Sequence, residues 1–78
     1  MTVSVYVAAG CPFCRVLLED FRRRGVAHVV IDLSREPHRL AELAAVTWER
    51  RVPAIVDHER CSIGSSGAST ALEDLGIR

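Results

Sequence analysis

The chain has 78 residues, 49% of them hydrophobic, and its ten basic residues, all arginine, balance ten acidic ones to a formal charge of zero. That size allows one domain, spanning residues 1–78, which buries only ~60–65% of its unfolded surface. Neutrality removes the general electrostatic case for binding nucleic acid or a membrane surface, and no apolar run approaches the ~18 residues needed to span a bilayer.

Residues 2–8 alternate and are rich in β-branched types, which predicts a first strand. A helix follows over 12–24, with Phe13, Val16, Leu17 and Phe21 as its apolar positions. Gly25 sits where a C-cap glycine would close it. Val26 to Leu33 reads as a second strand, and the unbroken Val29-Val30-Ile31 predicts burial on both faces. Ser34 and Glu36-Pro37 signal a second helix start. Leu40, Leu43, Ala44 and either Thr47 or Trp48 then trace its inner face. Ala54 to Asp57 and Arg60 to Ile63 are two strands joined by His58-Glu59, a gap that permits only an antiparallel hairpin. After the glycine–serine turn of Gly64 to Gly67, Ser69 to Leu75 reads as a last helix. The order is βαβαββα: an α/β fold with a four-stranded mixed sheet flanked by three helices. A right-handed crossover makes the first two strands parallel.

The chemistry concentrates in Cys11-Pro12-Phe13-Cys14. Two cysteines three apart, after a strand and opening a helix, read as a dithiol redox site. Cys11 is the expected nucleophile, because the N-terminal end of a helix favours a thiolate over a thiol and the thiolate is the form that attacks disulfides. Pro12 presets the helical φ and carries no N–H. Cys14 lies one turn on, more buried, to attack a mixed disulfide at Cys11 and release the reduced product. Arg15 adds nearby positive charge. A structural zinc site takes four ligands, whereas Cys61 and the three histidines show no paired spacing.

Ala8-Ala9-Gly10-Cys11 superficially resembles a lipoprotein cleavage site, yet the stretch before it is short and has no positive charge, unlike a signal peptide. A cytoplasmic location is therefore expected, where paired cysteines are catalytic or metal-binding more often than structural. Cys61 reads as a small buried apolar residue, with a regulatory or dimer-forming thiol as the alternative. His28, His38 and His58 read as surface residues, and Trp48 and Tyr6 as packing groups. Arg22-Arg23-Arg24 suits the negative end of the first helix, with a docking patch for an acidic partner as the other reading.

Taken together, the chain resembles the glutaredoxins of the thioredoxin superfamily. Cys11-Pro12-Phe13-Cys14 is close to their C-P-Y-C, Arg50-Arg51-Val52-Pro53 stands in place of R-T-V-P, and Ile63-Gly64-Ser65-Ser66 in place of I-G-G-x. The resemblance implies a thioredoxin-like fold and a thiol–disulfide oxidoreductase in which Cys11 and Cys14 are catalytic and Pro12, Phe13 and Pro53 support the site. It also implies that the Val52–Pro53 bond is cis and lies opposite Cys11, leaving the Val52 N–H and C=O to pair antiparallel with a bound thiol peptide. Arg50, Val52, Pro53, Ser65, Ser66 and Gly67 are then the residues expected to hold substrate or glutathione, the arginine and the N–H-rich turn by meeting carboxylates.

Ala8 stands where many glutaredoxins have lysine, and Gly67 and Ala68 where most have an acidic pair. Ser65-Ser66-Gly67 is similar to a segment of the redoxins that serve ribonucleotide reductase. Glutathione is accordingly one expected reductant and a thioredoxin-reductase-like flavoenzyme the other. The clients are protein disulfides or glutathionylated thiols, acted on by a monomer with no permanently bound cofactor. The rival readings are a glutathione-ligated [2Fe–2S] module, in which glycine usually follows the first cysteine, and an interaction module with idle thiols.

Overall fold

A computed structural model describes residues 2–58, 60–64 and 68–77. Strand β1 is Val3–Val7, helix α1 Pro12–Arg24 and strand β2 His28–Asp32. A 3-10 turn at Pro37–Arg39 runs into helix α2, Leu40–Ala44. Then come β3 (Arg51–Val52), β4 (Ala54–Asp57), β5 (Arg60–Ile63), β6 (Thr70–Ala71) and a 3-10 turn at Leu72–Leu75.

The main sheet has the order β2-β1-β4-β5. β1 is parallel to β2, with Val5 beside Val30, and antiparallel to β4, with Val5 opposite Ile55. β5 returns along β4 as the expected hairpin. These are the four strands read from the sequence, in a mixed α/β sheet. β3 and β6 form a second, two-stranded pair.

α1 matches the predicted span at both ends. Pro12 occupies its first turn, and Gly25 caps it at φ 68°. Val26 N–H closes the cap on the Phe21 carbonyl at 2.9 Å. The apolar face needs one correction: Cys14, Leu17 and Phe21 face the core, and Val16 is 56% exposed. Val16 is two residues from Cys14, about 200° around the helix axis, and so cannot share its face. At the other end, Arg23 and Arg24 both reach Asp20, and the Arg24 guanidinium lies over the Phe21 ring.

Three further expectations are corrected. β2 pairs in parallel as predicted, but as an edge strand, so Val29 and Val30 stay half-exposed while Ile31 is buried. α2 stops at Ala44, where Val46 N–H turns back to Leu43 C=O. Of the predicted inner face only Leu43 is fully buried, and Trp48 stands 89% exposed. Tyr6 does pack, with its hydroxyl donating to Glu42. The last predicted helix is absent: Thr70–Ala71 is a strand and Leu72–Leu75 a single 3-10 turn. Leu72 N–H donates to the Arg50 carbonyl at 2.9 Å. Together with the pairing of Thr70 and Ala71 to β3, that bond holds the segment extended where a helix was expected. Among the described residues two helices, not three, accompany the sheet.

Val5, Leu33, Leu43, Val52, Pro53 and Leu72 are sealed from solvent. Each such leucine contributes roughly 1.5–3 kcal/mol by burial. At the end of β5, Gly64 takes φ 94° and donates to the Pro53 carbonyl at 2.7 Å. A Cβ there would stand 2.8 Å from the Ala68 carbonyl oxygen. Gly25 shares the positive φ, but a Cβ there meets nothing within 4 Å. Gly64→Ala is therefore expected to cost about 2–3 kcal/mol and Gly25→Ala only about 1 kcal/mol. Urea unfolding of both variants under reductant checks the order; equal costs would refute the close-contact argument.

Candidate active site at the start of the first helix

β1 ends at Val7 and the chain turns through Ala8, Ala9 and Gly10 to the head of α1. Gly10 sits at φ 87°, and a Cβ on it would press on Leu75 at 3.3 Å. The turn is tied to β2 by two bonds. Ala9 N–H donates to Ser34 Oγ, and Ser34 N–H donates to an Asp32 carboxylate oxygen, both at 2.8 Å.

Cys11 is the N-cap residue, in extended conformation, and its sulfur takes no capping hydrogen bond from the first turn. It donates instead to the Val52 carbonyl at 3.6 Å. All three cysteines are free thiols. Cys11 is 6% exposed and Cys14 4%, so the predicted difference in burial is slight. Cys11 is nevertheless not sealed, because it borders two surface clefts. One, of about 620 Å³, runs between α1 and β2 and is also lined by Cys14, Arg15 and Val30. The other, of about 600 Å³, is lined by Gly10, Cys11, Pro12, Arg15 and Val16. Arg15 belongs to both, which gives the positive charge read from the sequence a definite place at the mouth.

Cys14 is held protonated. Burial pushes its pKa up to about 12, and its hydrogen bond to Cys11 adds to the rise. A main-chain hydrogen bond at Ala8 works against it, while the negative charge of Asp32 works with it.

The Val52–Pro53 bond is cis, and the Val52 carbonyl is the group Cys11 touches. The predicted site residues Cys11, Pro12, Cys14, Val52 and Pro53 thus converge, with Phe13 packed half-buried against the core beneath them. Arg50 does not join them. It is exposed on a separate cleft of about 650 Å³ with Trp48, Glu49, Arg51 and Glu73. Ser65, Ser66 and Gly67 lie outside the described residues. Nor is the Val52 main chain open as expected: β3 pairs with β6, with Val52 opposite Thr70.

Asp32, Ser34 and Thr70 were not read from the sequence as part of the site. For the first two a signal existed, an Asp-x-Ser ending an apolar strand. Thr70 left none, because its pairing joins residues eighteen apart. Cys61 is half-buried on β5 rather than fully in the core, and burial raises its pKa. His28 is tucked edge-on against Phe21, its Nδ1 bonded to the Val26 carbonyl. Among the described residues no three His, Cys, Asp or Glu side chains gather as metal ligands, and no helix is long and apolar enough to cross a membrane.

A family model described as Glutaredoxin matches residues 3–60, 58 of the 78 residues. No curated protein and no solved structure gives a significant match.

The state of Cys14 has a consequence for stability. An unfolded thiol titrates near ~8.5, and folded Cys14 near 12. Between those values the unfolded chain gives up a proton that the fold keeps. The contribution is therefore whole below the lower value and is lost as pH rises toward the upper one. Tyr6 and Cys61, also raised by burial, tilt the same way. The urea midpoint of the reduced protein is expected to fall from pH 8.5 upward, and Cys14→Ala to make that fall shallower. An unchanged slope in the variant would contradict a buried, neutral Cys14.

Proposed function

The chain belongs to the glutaredoxin family, and from that premise we propose that it is a dithiol oxidoreductase that reduces protein disulfides or glutathione mixed disulfides through Cys11 and Cys14. The observation that carries the reading is that both thiols line one cleft at the head of α1, with Cys11 on the Val52 carbonyl and Cys14 kept neutral by burial.

The Cys11 thiolate attacks one sulfur of the substrate disulfide. A new S–S bond forms, the substrate S–S bond breaks, and the departing sulfur leaves as a thiolate that takes up a proton. The free N–H groups of the first turn of α1 and the Arg15 guanidinium favour negative charge at this mouth. Cys14 then loses its proton and attacks Cys11. The mixed disulfide breaks, the second substrate thiol departs, and a Cys11–Cys14 disulfide remains. Two electrons have passed from the dithiol to the substrate.

The environment of Cys14 suits this order. Of the influences raising its pKa, the hydrogen bond to Cys11 and the charge on Cys11 both come from its partner sulfur. Once Cys11 is tied up in a mixed disulfide, that charge is gone and the sulfur is a poorer acceptor. Cys14 then ionises more readily at the moment it is needed. Before that moment the high pKa keeps it idle.

The resting oxidised protein is returned to the dithiol by glutathione, whose carboxylates suit Arg15, or by a flavoenzyme reductase. With a glutathionylated model thiol as substrate, Cys11→Ser is expected to lose activity by at least about a thousandfold, since the neutral Cys14 is a poor replacement. Cys14→Ser should keep deglutathionylation while losing protein disulfide reduction. Recycling assays with glutathione alone and with a thioredoxin reductase alone identify the electron source. Retained activity in Cys11→Ser would overturn the proposal.

A further inference from the structure

An extended polypeptide that docks beside Cys11 by strand addition needs the N–H and C=O of Val52. In this chain both are already taken. Arg51 stands opposite Ala71 and Val52 opposite Thr70 in the antiparallel β3–β6 pair. Leu72 N–H donates to Arg50 C=O at 2.9 Å. Antiparallel ladders alternate between pairs that exchange hydrogen bonds and pairs that do not. The bond between 72 and 50 therefore makes Val52 and Thr70 the next bonded pair, exchanging both of their N–H···O bonds. The carbonyl that Cys11 touches is the one that accepts from Thr70.

The side chains hold this arrangement from both ends. Arg51 donates from Nε to Ser69 Oγ at 2.7 Å and from Nη2 to the Ser69 carbonyl at 3.2 Å. Leu72, just past β6, is sealed in the core. β6 also lies beyond residues 3–60, where the family match ends.

We infer that β6 is an internal stand-in for substrate: Thr70 occupies the main-chain groups of Val52 that an extended disulfide-bearing polypeptide would use, so such a substrate reaches Cys11 only by displacing β6 from β3. The inference rests on the exchange chemistry proposed for Cys11. Displacement trades hydrogen bonds one for one, because the incoming strand satisfies the same N–H and C=O that Thr70 releases. Without an incoming strand, opening would leave those buried groups unpaired, which holds β6 in place at rest. A small disulfide that enters through the clefts at Arg15 needs no such opening. Thr70 is thereby a specificity-determining residue, setting extended polypeptides apart from compact disulfides.

The test uses the full chain carrying Cys14→Ser and Cys61→Ser, so that only Cys11 forms mixed disulfides. It is linked in turn to a cysteine-containing peptide of about ten residues and to 2-mercaptoethanol, and amide hydrogen exchange is read by NMR. In the peptide adduct the Thr70 amide is expected to exchange at least about tenfold faster while Val52 stays protected, as one lost and one replaced hydrogen bond require. In the 2-mercaptoethanol adduct both stay protected. A Thr70 amide equally protected in the two adducts overturns the inference and leaves the exchange chemistry standing. Failure of Cys11 to form either adduct overturns the chemistry and the inference with it. Thr70→Pro, which removes the donated N–H, should speed reduction of the peptide disulfide about tenfold, the worth of one net hydrogen bond. Its rate with hydroxyethyl disulfide should rise several-fold less than its rate with the peptide, as no strand is displaced there. Equal effects on both substrates would also refute the stand-in.

Discussion

The contact between Cys11 and the Val52 carbonyl is the constraint around which the rest of the site is arranged. It joins two segments forty-one residues apart. Cys11 stands in the strand–helix unit at the front of the chain, its approach turn tied to Ser34. Everything that positions Val52 comes from the back: its side chain is buried in the core, its main chain is paired with β6, and Pro53 follows through a cis bond. Cys14, under the first turn of α1, completes the triangle from within. The site is thus a seam between the two halves of a small domain.

Much of this was legible in the residues. Local signals fixed α1 to the residue, because a proline at its start, a 3–4 apolar spacing and a glycine at its end all act within one segment. The four strands of the main sheet, the parallel start and the hairpin at His58 followed from alternation and from gap lengths. The juxtaposition of Cys11 and Pro53 did not follow from spacing at all; it came through likeness to a known pattern.

What escaped the reading was decided by tertiary context. Val29-Val30-Ile31 has the composition of a strand buried on both faces, but nothing in those three residues says that the strand lies at an edge. Trp48 continues the periodicity of α2, yet the helix ends four residues earlier. Ser69 to Leu75 has helix-forming residues, among them Ala71, Leu72 and Glu73. Its main chain instead met Arg50 and Val52, partners about twenty positions away, and an antiparallel ladder displaced the local preference. Each miss is a case where a long-range partner outweighed a weak intrinsic tendency.

The stranded position of Trp48 has a practical side. It is the only tryptophan in the chain, and with 89% of its surface in water its indole is hydrated before unfolding as well as after. Intrinsic emission from this protein therefore registers what settles on the loop ahead of Arg50, and is a poor witness to the melting of the core.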